Sequence, residues 1–317
     1  MSNLPKARHA QRVQLKASIV IEGLSGSGKS GLALMIANAL SDKGYDGIYA
    51  VDTECKSLDL FEGTTMSDGS KVTPFLKVDL NSDVGYSPSN FLELREDAIS
   101  SGAQVFIQDS TSHAWVGEGG VLEMVNKLEN SENAKKLNKF NAWGVPEVVS
   151  EKNNLVYMIR DPRIHVISTV RLKEKFDLIP GEGVKSRGEA QIMQADMKYE
   201  PDLLLRCVTP GDAEHAPVVR VMKSRYAFLR VNQEYAVDKT MLDNLKAYLA
   251  EGASPDAIAA EMHEGLVQSC KDILNAMPTG KAVYSMFLNQ NKLDSKAKLD
   301  TLTDVQLNML YNRISKM

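Results

Sequence analysis

Short apolar runs alternate with segments whose apolar residues recur at helical spacing over the first part of the chain. Ala17 to Ile21, Ile48 to Val51 and Gln104 to Gln108 each have the length and composition of a buried strand. Between these runs, Gly31 to Leu40 and Ser89 to Ser100 have the apolar spacing of helices. This alternation predicts an α/β fold with a mainly parallel central sheet.

The middle of the chain continues this pattern less regularly. Val72 to Val78 predicts a further strand, and His165 to Val170 predicts a central one. Trp115 to Asn154 is polar and lysine-rich, which favours helices and loops. Glu174 to Ala190 contains glycines, charges and a proline, so we expect a long loop there, and loops of this length are usually functional or disordered.

The pattern then changes to strands that are close in sequence, and finally to helices. Leu203 to Val208 and Val218 to Met222 predict strands around a turn-rich segment, and Ala227 to Val231 adds a weaker one. The sheet is therefore expected to end in antiparallel hairpins. From about Val237 the periodicity is helical only, which predicts a core at residues 1–236 and a small all-helical domain at 237–317.

Two capping signals occur in the helical part. Ser254 precedes Pro255 and Asp256, which is typical of a helix that begins with a serine cap and proline at its first position. Thr303 and Gln306 have the spacing of a capping box before an apolar helical face. Both patterns predict helix starts.

Composition agrees with a protein of about two domains. The chain has 317 residues, 43% of them hydrophobic, and a net charge of -4, so nucleic acid would need a local basic strip to bind. Three widely spaced cysteines fit reduced thiols. Met1 to Lys16 lacks the apolar region of a signal peptide, and no run approaches the roughly 20 apolar residues of a membrane helix. We therefore expect a cytoplasmic protein without a membrane partner.

The clearest chemical signal follows the first predicted strand. Residues 23–30, GLSGSGKS, match the phosphate-binding pattern G-x-x-x-x-G-K-[ST] in full. Glycines let backbone N–H groups turn towards an anion, the next helix adds its positive end, Lys29 reaches the β- and γ-phosphates, and Ser30 ligates Mg²⁺. We call this segment the cradle. Its predicted ATP-binding residues are Gly23, Ser25, Gly26, Ser27, Gly28, Lys29, Ser30 and Gly31.

Two carboxylates follow later strands. Asp109 ends the strand at Gln104 to Gln108, where a P-loop enzyme places its second ligand on the Mg²⁺ side. Glu54 ends the motif VDTE, and a carboxylate beside the γ-phosphate can orient and activate water. The alternative for Glu54 is a solvated loop residue.

This order of motifs resembles the RecA-type ATPase core. The resemblance implies that Glu54 is the catalytic base and that Asp109 with Ser110 is the magnesium-side pair. It also implies that Thr169, on the strand HVISTV, senses the γ-phosphate. The segment Lys223-Ser224-Arg225 resembles the basic pair that reaches the nucleotide of a neighbouring subunit, although a solvated hairpin end is an equal alternative.

Within this group, the chain is most similar to compact phage RecA-like ATPases of the single-strand-annealing recombinase type. The motifs VDTE, IQDSTSHAW and HVISTVRLK carry the resemblance, which covers about Ala17 to Val231 and does not include the C-terminal helices. It implies ATP and Mg²⁺ as cofactors and a ring or filament of identical subunits. RecA itself has an N-terminal oligomerisation helix and strand, which the sixteen or so residues before the first strand are too few to supply.

RecA-like proteins bind single-stranded DNA with loops after the strands of the nucleotide site. The second such loop here has basic residues and flexible glycines, but Glu174, Asp177, Glu182 and Glu189 offset much of its charge. The predicted DNA-binding residues are Arg171, Lys173, Lys175, Lys185 and Arg187. An earlier basic and aromatic cluster comprises Lys135, Lys136, Lys139, Phe140 and Trp143. The alternative for both sets is a charged, solvated loop.

Three functions therefore remain open. The first is a DNA-stimulated ATPase of phage-type recombination or annealing, with a single-strand-binding or replication protein as partner of the C-terminal helices. The second is a small-molecule kinase with Arg160 to Arg187 as a lid, although Glu54 and the strand between cradle and Asp109 suit hydrolysis better. The third is a nucleotide-gated loader or scaffold. No Asn-Lys-x-Asp motif occurs, which favours ATP over GTP, and His113 receives no role.

Overall fold

The computed structural model describes residues 9–130, 142–179, 183–212 and 214–317. It divides into two compact units. The larger unit is Leu15–Ala250, and the smaller unit joins the residues up to Gln14 with Glu251–Met317. The division between the units thus comes after Ala250, whereas the change in sequence periodicity comes after residue 236, because the first helix of the helical region packs on the core of the larger unit.

The larger unit is built on one mostly parallel sheet, which confirms the predicted α/β class. Its strands are β1 Ser18–Gly23, β2 Ile48–Asp52, β3 Leu76–Asp79, β4 Val105–Asp109, β5 His165–Ile179, β6 Gly183–Gln191, β7 Leu203–Thr209, β8 Val218–Ser224 and β9 Glu234–Ala236. Their order in the sheet is β3-β2-β4-β5-β1-β7-β8-β9, with β6 paired to β5. The pairs from β3 across to β7 are parallel, and β8 and β9 extend the sheet antiparallel, as predicted.

Helices cover both faces of this sheet. Because side chains alternate along a strand, Ile19 and Ile21 of β1 pack with one set of helices while Val20 packs with the other. The first set is α1 Lys29–Leu40 and α6 Lys239–Ala250; the second includes α2 Pro88–Ser100, α3 Ser112–Val116, α4 Val121–Asn130 and α5 Pro146–Ile159. The two apolar layers hold the sheet between the helices, and this determines where the ends of its strands lie.

Two sequence predictions in this unit were wrong. The segment from Glu174 to Ala190 was expected to be a loop, but β5 continues to Ile179 and β6 returns antiparallel beside it. The glycines, the proline and the many charged residues of this segment hid the hairpin from an argument based on hydrophobic periodicity. The strand expected at Ala227 to Val231 is instead a turn region, where Leu229 N–H bonds to Tyr226 C=O, and the last strand comes at Glu234–Ala236.

The smaller unit contains α7 Pro255–Ala276, α8 Gly280–Gln290 and α9 Asp304–Ile314. Both predicted helix starts are confirmed. Ser254 Oγ accepts from Ala257 N–H at 3.1 Å, and Thr303 and Gln306 form a reciprocal capping box. Throughout the described part of the chain, every helix is too short or too polar to cross a membrane.

Candidate nucleotide site

The cradle joins β1 to α1 at the carboxyl edge of the parallel strands. Gly28 is the N-cap of α1 and has a φ of 83°, a left-handed conformation that glycine adopts without steric cost. No side chain caps this helix start. The first N–H groups of α1 and its positive dipole end are therefore available to an anion, as the sequence motif predicts.

Lys29 is buried at the start of α1, with only 8% of its surface exposed. Its ammonium Nζ donates a hydrogen bond to the Leu24 carbonyl at 2.8 Å, within the cradle itself. That partner is neutral, so the positive charge of Lys29 is not compensated by this bond. A buried cation held inside an anion-binding loop is suited to phosphate.

Asp109 lies fully buried at the end of β4, between neighbours from two other strands. Thr169 of β5 donates a hydrogen bond to its Oδ1. Burial raises the pKa of the Asp109 carboxyl above its usual value, and the negative charge of Glu54 adds to this increase. The Ser30 and Thr169 hydroxyls oppose the increase without cancelling it. Oδ2 accepts no hydrogen bond from the described residues and is also buried. A carboxylate oxygen left in this position, close to Ser30, fits a cation ligand. The Asp109–Ser110 peptide bond is cis.

The donor set suits Mg²⁺ bound together with phosphates. In the described residues, no cluster of three or more His, Cys, Asp or Glu side chains could hold a metal by itself. Magnesium usually keeps several waters and takes one or two protein ligands plus substrate phosphates. Ser30 of α1 and Asp109 of β4 would supply those two ligands, and β5 lies between β4 and β1, the strand that leads into the cradle.

Glu54 follows β2 at the same edge. Its backbone N–H donates to Asp52 Oδ1 at 2.7 Å, and Asp52 Oδ2 also accepts from Leu58 N–H at 2.9 Å, which fixes this turn. The Glu54 Oε1 atom accepts from Arg171 Nε at 2.8 Å. Burial raises the pKa of Glu54, but Arg171, Lys29 and His113 together outweigh it, so the pKa is below its usual value. The carboxylate is therefore charged and electrostatically coupled to the cradle.

His113 belongs to this group of side chains, although the sequence analysis assigned it no role. Its Nδ1 lies 2.6 Å from Thr53 Oγ1, and its ring centroid lies 5.0 Å from that of Tyr86. Burial lowers its pKa, and the charge of Arg171 lowers it further while Glu54 opposes this. His113 is thus a neutral ring that supports the turn carrying Glu54. Its place in α3, four residues after Asp109, was the only sequence signal.

A pocket of about 290 Å³ opens beside the cradle and was not predicted from the sequence. Leu32 and Met35 of α1 form one wall, and Phe61 and Met66 form another. The ring of Phe61 lies so close to Gly31 that a Cβ at Gly31 would be 3.0 Å from it. The remaining lining residues are Gly28, Leu60, Thr64, Thr65, Ser67, Gly211, Asp212 and Pro217.

Lys223 and Arg225 lie at the opposite edge of the sheet. Because β8 runs antiparallel to β7, Ser224 pairs with Leu203 at the amino end of the parallel strands. Lys223 Nζ donates to the Pro201 carbonyl at 2.6 Å, and Arg225 Nη1 lies 2.9 Å from Asp202 Oδ1. Both cations therefore lie at the edge of the sheet opposite to the cradle.

The predicted DNA-binding residues divide into different surroundings. Arg171 pairs with Glu54, while Lys173 and Lys175 are exposed on β5. Lys185 and Arg187 lie on β6, and their side chains are outside the described part of the structure. Of the earlier basic and aromatic cluster, Trp143 packs with its ring centroid 6.0 Å from that of Trp115. The other members, Lys135, Lys136, Lys139 and Phe140, lie outside the described residues.

Comparison with protein-family profiles and with curated proteins finds no match for this chain. The function therefore has to be argued from the site. Three features define the site. The start of α1 has no side-chain cap and carries the buried Lys29, Asp109 is buried beside a hydroxyl group, and the charged Glu54 follows the end of β2.

Proposed function

We propose that the chain is a RecA-like ATPase that binds Mg·ATP in the cradle, hydrolyses it and acts on single-stranded DNA in phage-type recombination or annealing. The observation that carries this proposal is the convergence of Lys29, Asp109 and Glu54 at one sheet edge, where their charges influence one another. A buried cation, a metal-type carboxylate and a second, charged carboxylate are the groups that phosphoryl transfer to water requires.

Each residue has a separate role in this proposal. Lys29 and the free N–H groups of α1 hold the phosphates, and Ser30 and Asp109 hold Mg²⁺, which neutralises phosphate charge when it is bound. Thr169 positions Asp109 through its hydrogen bond and lies between the cradle strand and β4, where the γ-phosphate can be sensed. Glu54 orients the attacking water and accepts its proton.

The pocket beside the cradle supports a nucleoside triphosphate as ligand. Its apolar walls are formed by Leu32, Met35, Phe61 and Met66, next to the helix start that would bind phosphate. Ligand pockets are typically apolar with a few polar groups, and a purine ring would bury its faces against such walls. We propose that the base and ribose lie here.

Lys223 and Arg225 support an assembly of identical subunits. They lie at the amino edge of the sheet, away from their own cradle. In a head-to-tail ring or filament, the edge of one subunit meets the opposite edge of the next. The two cations would then stabilise charge on the neighbour's transferring phosphoryl group, as arginine fingers do.

Equilibrium binding of a fluorescent ATP analogue, with and without Mg²⁺, tests the nucleotide assignment. We expect Lys29→Ala to weaken binding at least about tenfold, which corresponds to about 1.4 kcal/mol. Lys246→Ala is the matched control, because Lys246 pairs with Asp42 at 2.9 Å on an exposed face of α6. Equal binding by Lys29→Ala and the wild type would overturn the assignment.

A further inference from the structure

Arg171 connects the hairpin formed by β5 and β6 to the proposed base. Its Nε donates to Glu54 Oε1 at 2.8 Å, and its backbone N–H donates to Ser112 Oγ at 2.9 Å. The side chains of this ion pair are 38% and 26% exposed, so water and ligands reach both partners. The pair joins the end of β2 to the strand that leads into the hairpin.

This ion pair opposes the role of Glu54 as a base. A carboxylate oxygen that accepts a guanidinium hydrogen bond is occupied, and the adjacent positive charge makes it a weaker proton acceptor. General bases work best when they are free and when their pKa lies near the working pH. Efficient hydrolysis therefore requires the Arg171 guanidinium to leave Glu54.

The surroundings of Arg171 provide a competing site for its guanidinium. Leu172 is buried, so alternation along β5 places Arg171 and Lys173 on the opposite face of the strand, and Lys175 is exposed further out. Three cations thus follow one another along the outgoing strand. Glu174 on β5 and Glu189 opposite it on β6 are exposed beside this series, but the three cations outnumber these two carboxylates, and Glu189 also pairs with Arg206 at 3.6 Å. A polymer with repeated phosphates would therefore interact favourably with the cations.

The other arm of the hairpin is held in place. Gln191 of β6 donates to Glu22 Oε2 at 2.5 Å, and the buried Glu22 also accepts from Arg206 Nε at 2.6 Å. Glu22 directly precedes the first cradle glycine on β1. These bonds fix the end of the hairpin that adjoins the sheet. Rotation of the Arg171 side chain alone is therefore enough to release Glu54.

We propose that Arg171 is a positioning residue that restrains Glu54, and that single-stranded DNA bound along Arg171, Lys173 and Lys175 draws its guanidinium away and releases the base. This inference rests on the proposed ATPase function and gives it a regulation. DNA then raises the rate of hydrolysis without changing the affinity for ATP, since Arg171 acts on Glu54 and not on the cradle.

Steady-state hydrolysis by Arg171→Gln tests the restraint. We expect its kcat without DNA to rise about fivefold, because Glu54 is then free to act as a base. We expect KM to stay within about twofold of the wild type, because the residues that bind ATP are unchanged. Stimulation by oligo(dT) should largely disappear, and Arg171→Lys should restore part of it. Arg220→Gln is the matched control, since Arg220 of β8 forms an Arg–Glu pair with Glu234 of β9. A lower or unchanged basal kcat, or full stimulation, in Arg171→Gln overturns the inference.

A second readout does not depend on hydrolysis, so that failure of this inference and failure of the ATPase proposal are distinguishable. The Arg171 Nε–H resonance in ¹⁵N-labelled full-length protein is assigned by its absence in Arg171→Lys. We expect Glu54→Gln and added oligo(dT) each to shift it. A resonance that oligo(dT) leaves unchanged, or that a non-hydrolysable Mg·ATP analogue alone shifts as strongly, overturns the inference.

Discussion

Thr169 of β5 donates a hydrogen bond to one carboxylate oxygen of Asp109 on β4, while the other oxygen is buried and accepts no hydrogen bond from the described residues. The hydroxyl fixes the orientation of the carboxylate and leaves one lone-pair-bearing oxygen for another ligand. Because an unpaired buried oxygen is costly, this oxygen is suited to a cation ligand, as the proposed Mg²⁺ site requires.

Asp109→Asn is expected to remove the metal dependence of nucleotide binding. The amide still accepts the Thr169 hydrogen bond but no longer offers a negative charge to Mg²⁺. ATP affinity with Mg²⁺ should fall about tenfold, while affinity without Mg²⁺ should change little. Titration of the fluorescent analogue at several Mg²⁺ concentrations measures this, with Asp243→Asn on α6 as the surface control. An unaltered Mg²⁺ response would rule out Asp109 as a ligand.

Phe61→Ala should weaken the binding of ATP but not that of inorganic tripolyphosphate. Phe61 lines the pocket beside the cradle, whereas the proposal assigns the phosphates to Lys29 and the start of α1. Loss of its apolar contact with a base is expected to cost about 1–2 kcal/mol, or roughly a factor of ten. Competition titrations with the two ligands compare them directly. Phe228→Ala, whose ring packs 5.4 Å from that of Tyr248, controls for a general loss of stability. If both ligands weaken equally, the pocket does not hold the base.

Lys29→Ala and Arg225→Ala should each abolish hydrolysis, and a mixture of the two should recover part of it. In a head-to-tail assembly, a subunit with an intact cradle can adjoin one with an intact Arg225 at about a quarter of random junctions. Rates measured on mixed subunits test this expectation. Arg220→Ala mixed with the wild type serves as the control. An inactive mixture would contradict action across a subunit interface.

His165 should make the larger unit less stable at mildly acidic pH. Burial lowers its pKa from the usual 6.5 to about 3, and its Nδ1 accepts from Ala17 N–H at 2.9 Å. Between these two pKa values the unfolded chain binds a proton that the folded chain does not, so stability falls as the pH falls. From pH 7.5 to 5.5 the expected loss is about 1.4 kcal/mol.

Urea unfolding followed by tryptophan fluorescence measures this loss, since Trp115 and Trp143 both lie in the larger unit. His165→Asn keeps an acceptor near the Nδ1 position but does not titrate, so it should lose about 1.4 kcal/mol less than the wild type over this range. Identical pH dependence in the two proteins would show that His165 does not contribute.

The sequence predicted the parts of the fold that burial and capping determine. Strands buried on both faces, such as β1 and β4, appear as apolar runs, and Thr303 with Gln306 marks a helix start without reference to the rest of the fold. The β5–β6 hairpin was not predicted in this way, because its sequence mixes charged and apolar residues with glycines and a proline, and backbone pairing joins its strands.

In the candidate site too, the sequence predicted the local features but not the contacts between distant residues. The cradle is contiguous in sequence, so its pattern predicted a phosphate-binding loop followed by a helix. That helix begins at Lys29, two residues before the predicted Gly31. The ion pair of Glu54 and Arg171 joins residues 117 positions apart, and only the sheet order brings them together. The sequence analysis placed Arg171 in a DNA-binding loop after the strand His165 to Val170. In the structure it lies on β5, and its side chain contacts Glu54 in the candidate site.

Steady-state ATP hydrolysis with and without single-stranded DNA, and with no other phosphate acceptor, tests the central claim most directly. Phosphate release by the wild type should increase with oligo(dT), while Lys29→Ala and Glu54→Gln should lose at least about two orders of magnitude in rate. Arg220→Gln should behave as the wild type. Hydrolysis that is indifferent to DNA, or that persists in both variants, would contradict a DNA-dependent ATPase centred on Lys29 and Glu54.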